Sequence, residues 1–106
     1  MISKCPRPDG TAEVRFTVPD AFHTLEVVGD FNHWGAEPTV FAADGDERTA
    51  IATVLLGRRY WFRYTTFEGG ECNDEAADDY EADPRGAYSG IIDLVTPVGS
   101  ESLPAR

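Results

Sequence analysis

The amino-acid sequence predicts an all-β protein, a single-domain antiparallel β-sandwich. Three observations carry the prediction. Apolar and polar residues alternate at period two in Ala12–Val18 and again in Arg59–Thr66. Turn residues punctuate the chain at short intervals, among them Pro19-Asp20, Asp44-Gly45-Asp46 and Phe67–Gly70. No segment keeps a helical period over three turns, and Ala76–Tyr80 could manage one at most.

Residues 1–10 carry Pro6, Pro8 and Gly10 and read as an irregular lead-in. Residues 11–95 are expected to form the sandwich. Its first strand is Ala12–Val18, with Ala12, Val14, Phe16 and Val18 on the buried face and Glu13, Arg15 and Thr17 on the other. Thr24–Val28 follows, with Leu25 and Val27 expected inside. The Gly29–Gly35 loop leads to Pro38–Ala42, a short strand holding Val40 and Phe41. Asp44-Gly45-Asp46 is a hairpin turn of the Asp-Gly kind. Arg48–Leu56 is the next strand, and Gly57 turns the chain into Arg59–Thr66.

Arg59–Thr66 is the strongest strand signal, being rich in aromatic and β-branched residues. Tyr60, Phe62 and Tyr64 share one face; Trp61, Arg63 and Thr65 share the other. Asn73–Pro84 is acidic and reads as irregular, with Tyr80 its one large side chain. Ser89–Val95 is the last strand, and residues 96–106 are expected to be a flexible tail. Six or seven short strands in this arrangement suggest immunoglobulin-like topology, although Cys5 and Cys72 lack the spacing of its usual bridge between sheets.

Composition narrows the function classes. The chain has 106 residues, is 42% hydrophobic and carries a formal net charge of −10, so it is long enough for one core and acidic enough to be repelled by nucleic acids and anionic membranes. Eight acidic residues and no basic one fall between Glu68 and Asp83; the rest of the chain is close to balanced. The opening Met-Ile-Ser-Lys-Cys-Pro lacks the apolar core of a signal peptide, and no apolar run could span a bilayer, so a cytoplasmic location is expected. In that reducing compartment the two cysteines are expected as free thiols. The acidic run lacks the alternating carboxylates and central glycine of a calcium loop, so no metal is expected. His23 and His33 are the only histidines and belong to no metal-ligand or triad motif. No cofactor and no enzymatic activity are expected.

The organising stretch is Val27–Trp34, Val-Val-Gly-Asp-Phe-Asn-His-Trp. A strand end runs into a tight loop that carries a tryptophan. That indole either caps the core or lies on the surface as a flat face for a ligand. Gly29, Asp30, Phe31 and Asn32 read as structural: glycine permits unusual backbone, while Asp and Asn tie back to the loop. A second motif, Gly57-Arg58-Arg59-Tyr60-Trp61-Phe62-Arg63-Tyr64, is followed by Asn73-Asp74 and then Tyr80.

Together these motifs resemble the family 48 carbohydrate-binding module, the isoamylase N-terminal or early-set domain. It precedes the catalytic barrel in glycogen branching and debranching enzymes. It also forms the glycogen-binding domain of the AMP-activated kinase β subunit. The likeness runs from about Ala12 to Leu94. It implies a β-sandwich that binds α-1,4-glucans on one exposed face, with Trp34 at the position of the family's first platform tryptophan. Trp61 falls where the kinase relatives carry a sugar-contacting lysine. The family's second platform tryptophan corresponds to Glu71, its sugar-contacting asparagine to Ser89, and its leucine and threonine neighbours to Arg85 and Ala87. Only one of the usual contacts is therefore kept outright.

The expected carbohydrate-binding set is Trp34, Trp61, Arg63, Glu71 and Ser89. Arg63 has a second reading, an ion pair with Asp30 or Asp74. The expected function is non-catalytic binding of an α-glucan, a glycogen- or starch-like oligosaccharide. A glycogen-metabolising enzyme or a second copy of the chain are the protein partners it allows. The alternative is a protein-interaction or self-association module that keeps the fold and has lost the sugar.

Overall fold

A computed structural model describes residues 1–95; the expected tail at 96–106 lies outside them. Among the described residues ten strands form two antiparallel sheets packed face to face, the sandwich that the sequence predicts. The strands are β1 (Ile2–Pro6), β2 (Thr11–Pro19), β3 (Thr24–Gly29), β4 (Thr39–Val40), β5 (Ala42–Asp44), β6 (Glu47–Leu55), β7 (Arg59–Thr66), β8 (Glu71–Cys72), β9 (Asp79–Ala82) and β10 (Tyr88–Asp93). One sheet runs β1-β2-β6-β5. The other runs β4-β3-β7-β10-β9, with β8 also paired to β7. Helical structure among the described residues is limited to two 3-10 segments, Asp20–Phe22 and Asp30–Gly35.

The period-two patterns bury the side chains they predict. Ala12, Val14, Phe16 and Val18 of β2 face Phe62 and Tyr64 of β7 across the interior. Phe16 lies 5.5 Å from Phe62 and meets Tyr64 edge-on at 6.0 Å; Phe41 meets Tyr64 edge-on at 5.2 Å. These aromatic pairs supply much of the apolar burial that holds the sheets together. The two interior tyrosines keep their hydroxyls bonded. Tyr60 Oη donates to the Leu55 carbonyl at 2.8 Å. Tyr64 Oη donates to the buried Asp74 carboxylate at 2.6 Å, and burial followed by that bond pushes its pKa up.

Four details differ from the sequence reading. Ile2–Pro6, placed in an irregular lead-in, pairs with β2 as an edge strand; Ile2 is its one apolar contribution to the core, too little to give a pattern. Asp79–Ala82, placed in an irregular acidic loop, is the opposite sheet's edge strand, where charge is tolerated because one flank faces water. Leu25, expected inside, is the extra residue of a bulge between Thr24 and Glu26 and stays 38% exposed. Pro38–Ala42, expected as one strand, is divided between β4 of one sheet and β5 of the other, with Val40 exposed and Phe41 buried. Cys5 and Cys72 are free. No helix among the described residues is long and apolar enough to cross a membrane.

Candidate functional site

The outer face of the second sheet is built on β7. Trp61, Arg63 and Thr65 point away from the interior, as the alternation requires. Trp61 sits opposite Ile91 of β10, and Arg63 opposite Val28 of β3. Ile91 and Val28 are both buried yet stand outside the interior cluster, so this outer face is itself covered. The cover over Val28 is the Asp30–Gly35 segment, which returns across it; a β-carbon on Gly35 would lie 3.2 Å from Val28 Cγ1.

That segment is fixed by Asn32, which is 4% exposed. Its Oδ1 accepts from the amides of Gly29 at 3.0 Å and Gly35 at 3.2 Å. Its Nδ2 donates to the Val27 carbonyl at 2.8 Å and to Thr39 Oγ1 at 3.1 Å. One side chain thus closes the loop and pins it to β3 and β4. Gly29 allows the closest approach: a β-carbon there would lie 2.2 Å from the Trp61 carbonyl oxygen. Asp30 Oδ1 accepts from the Trp61 amide at 3.1 Å. Burial lifts the Asp30 carboxyl above its ordinary pKa despite that bond. Phe31 packs edge-on against Tyr60 at 6.0 Å. The four residues read as structural in the sequence thus shape the loop.

After Asn32 the backbone turns left-handed at His33 (φ 56°) and again at Trp34 (φ 56°). Each costs a residue with a β-carbon about 1–2 kcal/mol. Two in succession, one of them a tryptophan, mark strain that a loop free to relax would not keep. Their effect is to fold the half-buried indole back from the end of β3.

The Trp34 ring has a partner that the sequence did not suggest. The guanidinium carbon of Arg85, from the β9–β10 turn, lies 4.0 Å from the indole centroid. Arg85 also reaches both Glu71 carboxylate oxygens at 3.4 Å and Asp83 Oδ2 at 3.2 Å. Glu71 in turn lies 3.0 Å from Arg63 Nε, and Arg63 donates to the Tyr88 carbonyl at 2.8 Å. Trp34, Arg85, Glu71 and Arg63 therefore form one chain of contacts leading onto the β7 face. Only the cation–π pairing itself ties the first two.

Trp61 and Ser89 are less open than expected. Trp61 is half-buried, and its Nε1 is shielded from water with no hydrogen-bond partner. Ser89, expected to contact sugar, is completely buried and donates to Asp83 Oδ2 at 2.6 Å; its hydroxyl is spent inside the protein, so it leaves the candidate set. Arg63 pairs with Glu71 rather than with Asp30 or Asp74. Glu71, where the resemblance would have a second aromatic platform, joins two guanidiniums instead.

Asp83 organises the turn that carries Arg85. It is 5% exposed and accepts from the amides of Arg85 at 2.8 Å and Ala87 at 3.1 Å, besides Ser89. Burial alone would raise its pKa, but the bonds from Ser89, Ala87 and Arg85 outweigh it and hold the carboxyl below its ordinary value. A carboxylate depressed in the folded state adds stability above its unfolded pKa, and that stability is lost as pH falls through the folded value. Asp83→Asn is therefore expected to melt earlier than wild type at pH 7. The gap should narrow in urea titrations taken below about pH 4. A gap unchanged by pH would mean that the charge contributes nothing.

Two cavities, of about 430 and 280 Å³, open elsewhere; one involves Phe22, Cys72 and Asp74, the other Asp30, Leu55 and Arg58, and neither is lined by Trp34, Trp61 or Arg85. The candidate face balances two guanidiniums, Arg63 and Arg85, against two carboxylates, Glu71 and Asp83. Among the described residues no group of three or more His, Cys, Asp or Glu side chains is placed to hold a metal ion.

Fold and face together define a class: a two-sheet antiparallel β-sandwich with an aromatic loop returned over the outer face of one sheet. No protein-family model matches the chain, and no curated protein does.

Proposed function

We propose that this protein is a non-catalytic module that binds an α-1,4-glucan, a glycogen- or starch-like chain, by stacking a glucose ring on Trp34. The observation that carries the reading is the pair of left-handed residues, His33 and Trp34, which hold a large apolar ring in a strained loop. Strain of that kind is kept where a side chain must be presented in one direction. The likeness to family 48 carbohydrate-binding modules supplies the ligand class. The axial C–H bonds of a glucose ring pack on an indole, and its hydroxyls find polar partners at the edge in Arg63 and Glu71. A glycogen-metabolising enzyme is the partner such a module would serve.

Trp61 contributes in this reading at the margin. Its buried Nε1 edge leaves less of its ring for a sugar. Trp61→Ala is expected to weaken retention on amylose in affinity electrophoresis several-fold and to lower stability, because Ile91 loses the residue opposite it. Full retention with unchanged melting would remove Trp61 from the site.

A second reading, a protein-interaction or self-association module without sugar binding, is favoured by the guanidinium already resting on Trp34. Titration with maltoheptaose, followed by tryptophan fluorescence, separates the two. A saturable change at millimolar sugar supports glucan binding. No change, together with a dimer by light scattering, supports the second.

A further inference from the structure

We propose that Arg85 is a displaceable cover on the Trp34 platform, so that the site is closed by its own cation until a glucan replaces it. The inference deepens the reading of Trp34 as a glucan platform and rests on it. Its ground is geometric. At 4.0 Å from the centroid, the guanidinium takes up the contact distance that a stacked sugar ring would need. A ring and a guanidinium cannot occupy one indole face together.

The hold on Arg85 is of the kind that gives way. Its backbone is firmly placed, because Asp83 binds the amides of Arg85 and Ala87. Its side chain is a third exposed and reaches Glu71 at the surface over 3.4 Å, a contact that is weak by itself; the buried Asp83, at 3.2 Å, keeps Ser89 and the amides of Arg85 and Ala87 as donors when the guanidinium leaves. The side chain can therefore swing away while the turn stays in place. Binding of a neutral sugar then acquires a salt dependence it would otherwise lack, since ions loosen the exposed Arg85–Glu71 pair.

The test compares wild type with Arg85→Ala and Glu71→Gln. Maltoheptaose affinity is read by calorimetry at low and high sodium chloride. Exposure of Trp34 is read separately, by acrylamide quenching without sugar in a Trp61→Phe background. Arg85→Ala is expected to raise quenching and to tighten maltoheptaose about fivefold, with no remaining dependence on salt. Glu71→Gln is expected to move both in the same direction by less, and wild type to bind more tightly as salt rises. Unchanged quenching in Arg85→Ala overturns the cover whatever the sugar does. Raised quenching with weaker binding also overturns it and makes Arg85 a sugar contact. Raised quenching with no binding by any of the proteins supports the covering contact and overturns the glucan reading of Trp34.

Discussion

Trp34→Gly is expected to abolish retention on glycogen and amylose while leaving the stability of the domain within about 1 kcal/mol of wild type. Two opposing changes set that figure. Glycine adopts φ near +56° freely, so the substitution relieves about 1–2 kcal/mol of strain at this position. Against this the protein loses the Arg85 stack and whatever packing the half-buried ring supplies. A ring held for structure would show the reverse, a clear loss of stability on removal. Trp34→Ala separates the contributions, since it removes the ring and keeps the strain. It should lose the same retention and melt slightly below Trp34→Gly. Affinity gels containing glycogen and thermal melts on the three proteins give both readouts. Retention by Trp34→Gly equal to wild type would show that the indole does not bind glucan.

The second large effect is on the fold. Asn32→Ala is expected to cost about 3 kcal/mol and to lower the melting temperature by about 10 °C or more. The amide serves four partners, Gly29, Gly35, Val27 and Thr39, within a buried site. Alanine fills none of these roles and leaves the buried Gly29 amide without its acceptor. Asn32→Asp keeps the acceptor for the two glycine amides and loses the donor to Val27 and Thr39, with an added buried charge, so it should fall close to Asn32→Ala. Both should also lose glucan retention, because Trp34 follows directly on the loop they release. A loss below about 0.5 kcal/mol for Asn32→Ala would mean that the loop holds itself.

The strands with a buried face were legible because their period is unmistakable. β2 and β7 place Val14, Phe16, Phe62 and Tyr64 inside as their alternation requires. The edge strands were not. β1 holds a single residue packed against the core, and β9 is half acidic, so neither shows a pattern that water-facing loops lack. Leu25 was misplaced because a bulge inserts one residue into a strand too short to reveal the slip.

The site was legible in its loop and less so in its contacts. Val27–Trp34 announced a tight turn, and Asn32 and Gly29 act as such residues do. That His33 and Trp34 would both be left-handed could not be read: histidine visits that region more often than most residues, but a bulky residue such as tryptophan does not. Arg85 over Trp34 joins two loops distant in sequence. Ser89 faces inward because Asp83, a residue of an apparently solvated acidic run, is itself buried. Charge composition predicts where acids are common, not which of them a fold encloses.

Glucan binding as proposed requires a sugar to touch the Trp34 indole. The most direct measurement follows the two tryptophan indole N–H signals, assigned with Trp34→Gly, in ¹H–¹⁵N spectra during titration with maltoheptaose. The expected result is a saturable shift of the Trp34 signal at millimolar sugar, with the amides of Arg85 and Ala87 moving alongside it. A Trp34 signal that stays fixed while sugar saturates another surface, or while nothing moves at all, would contradict the account.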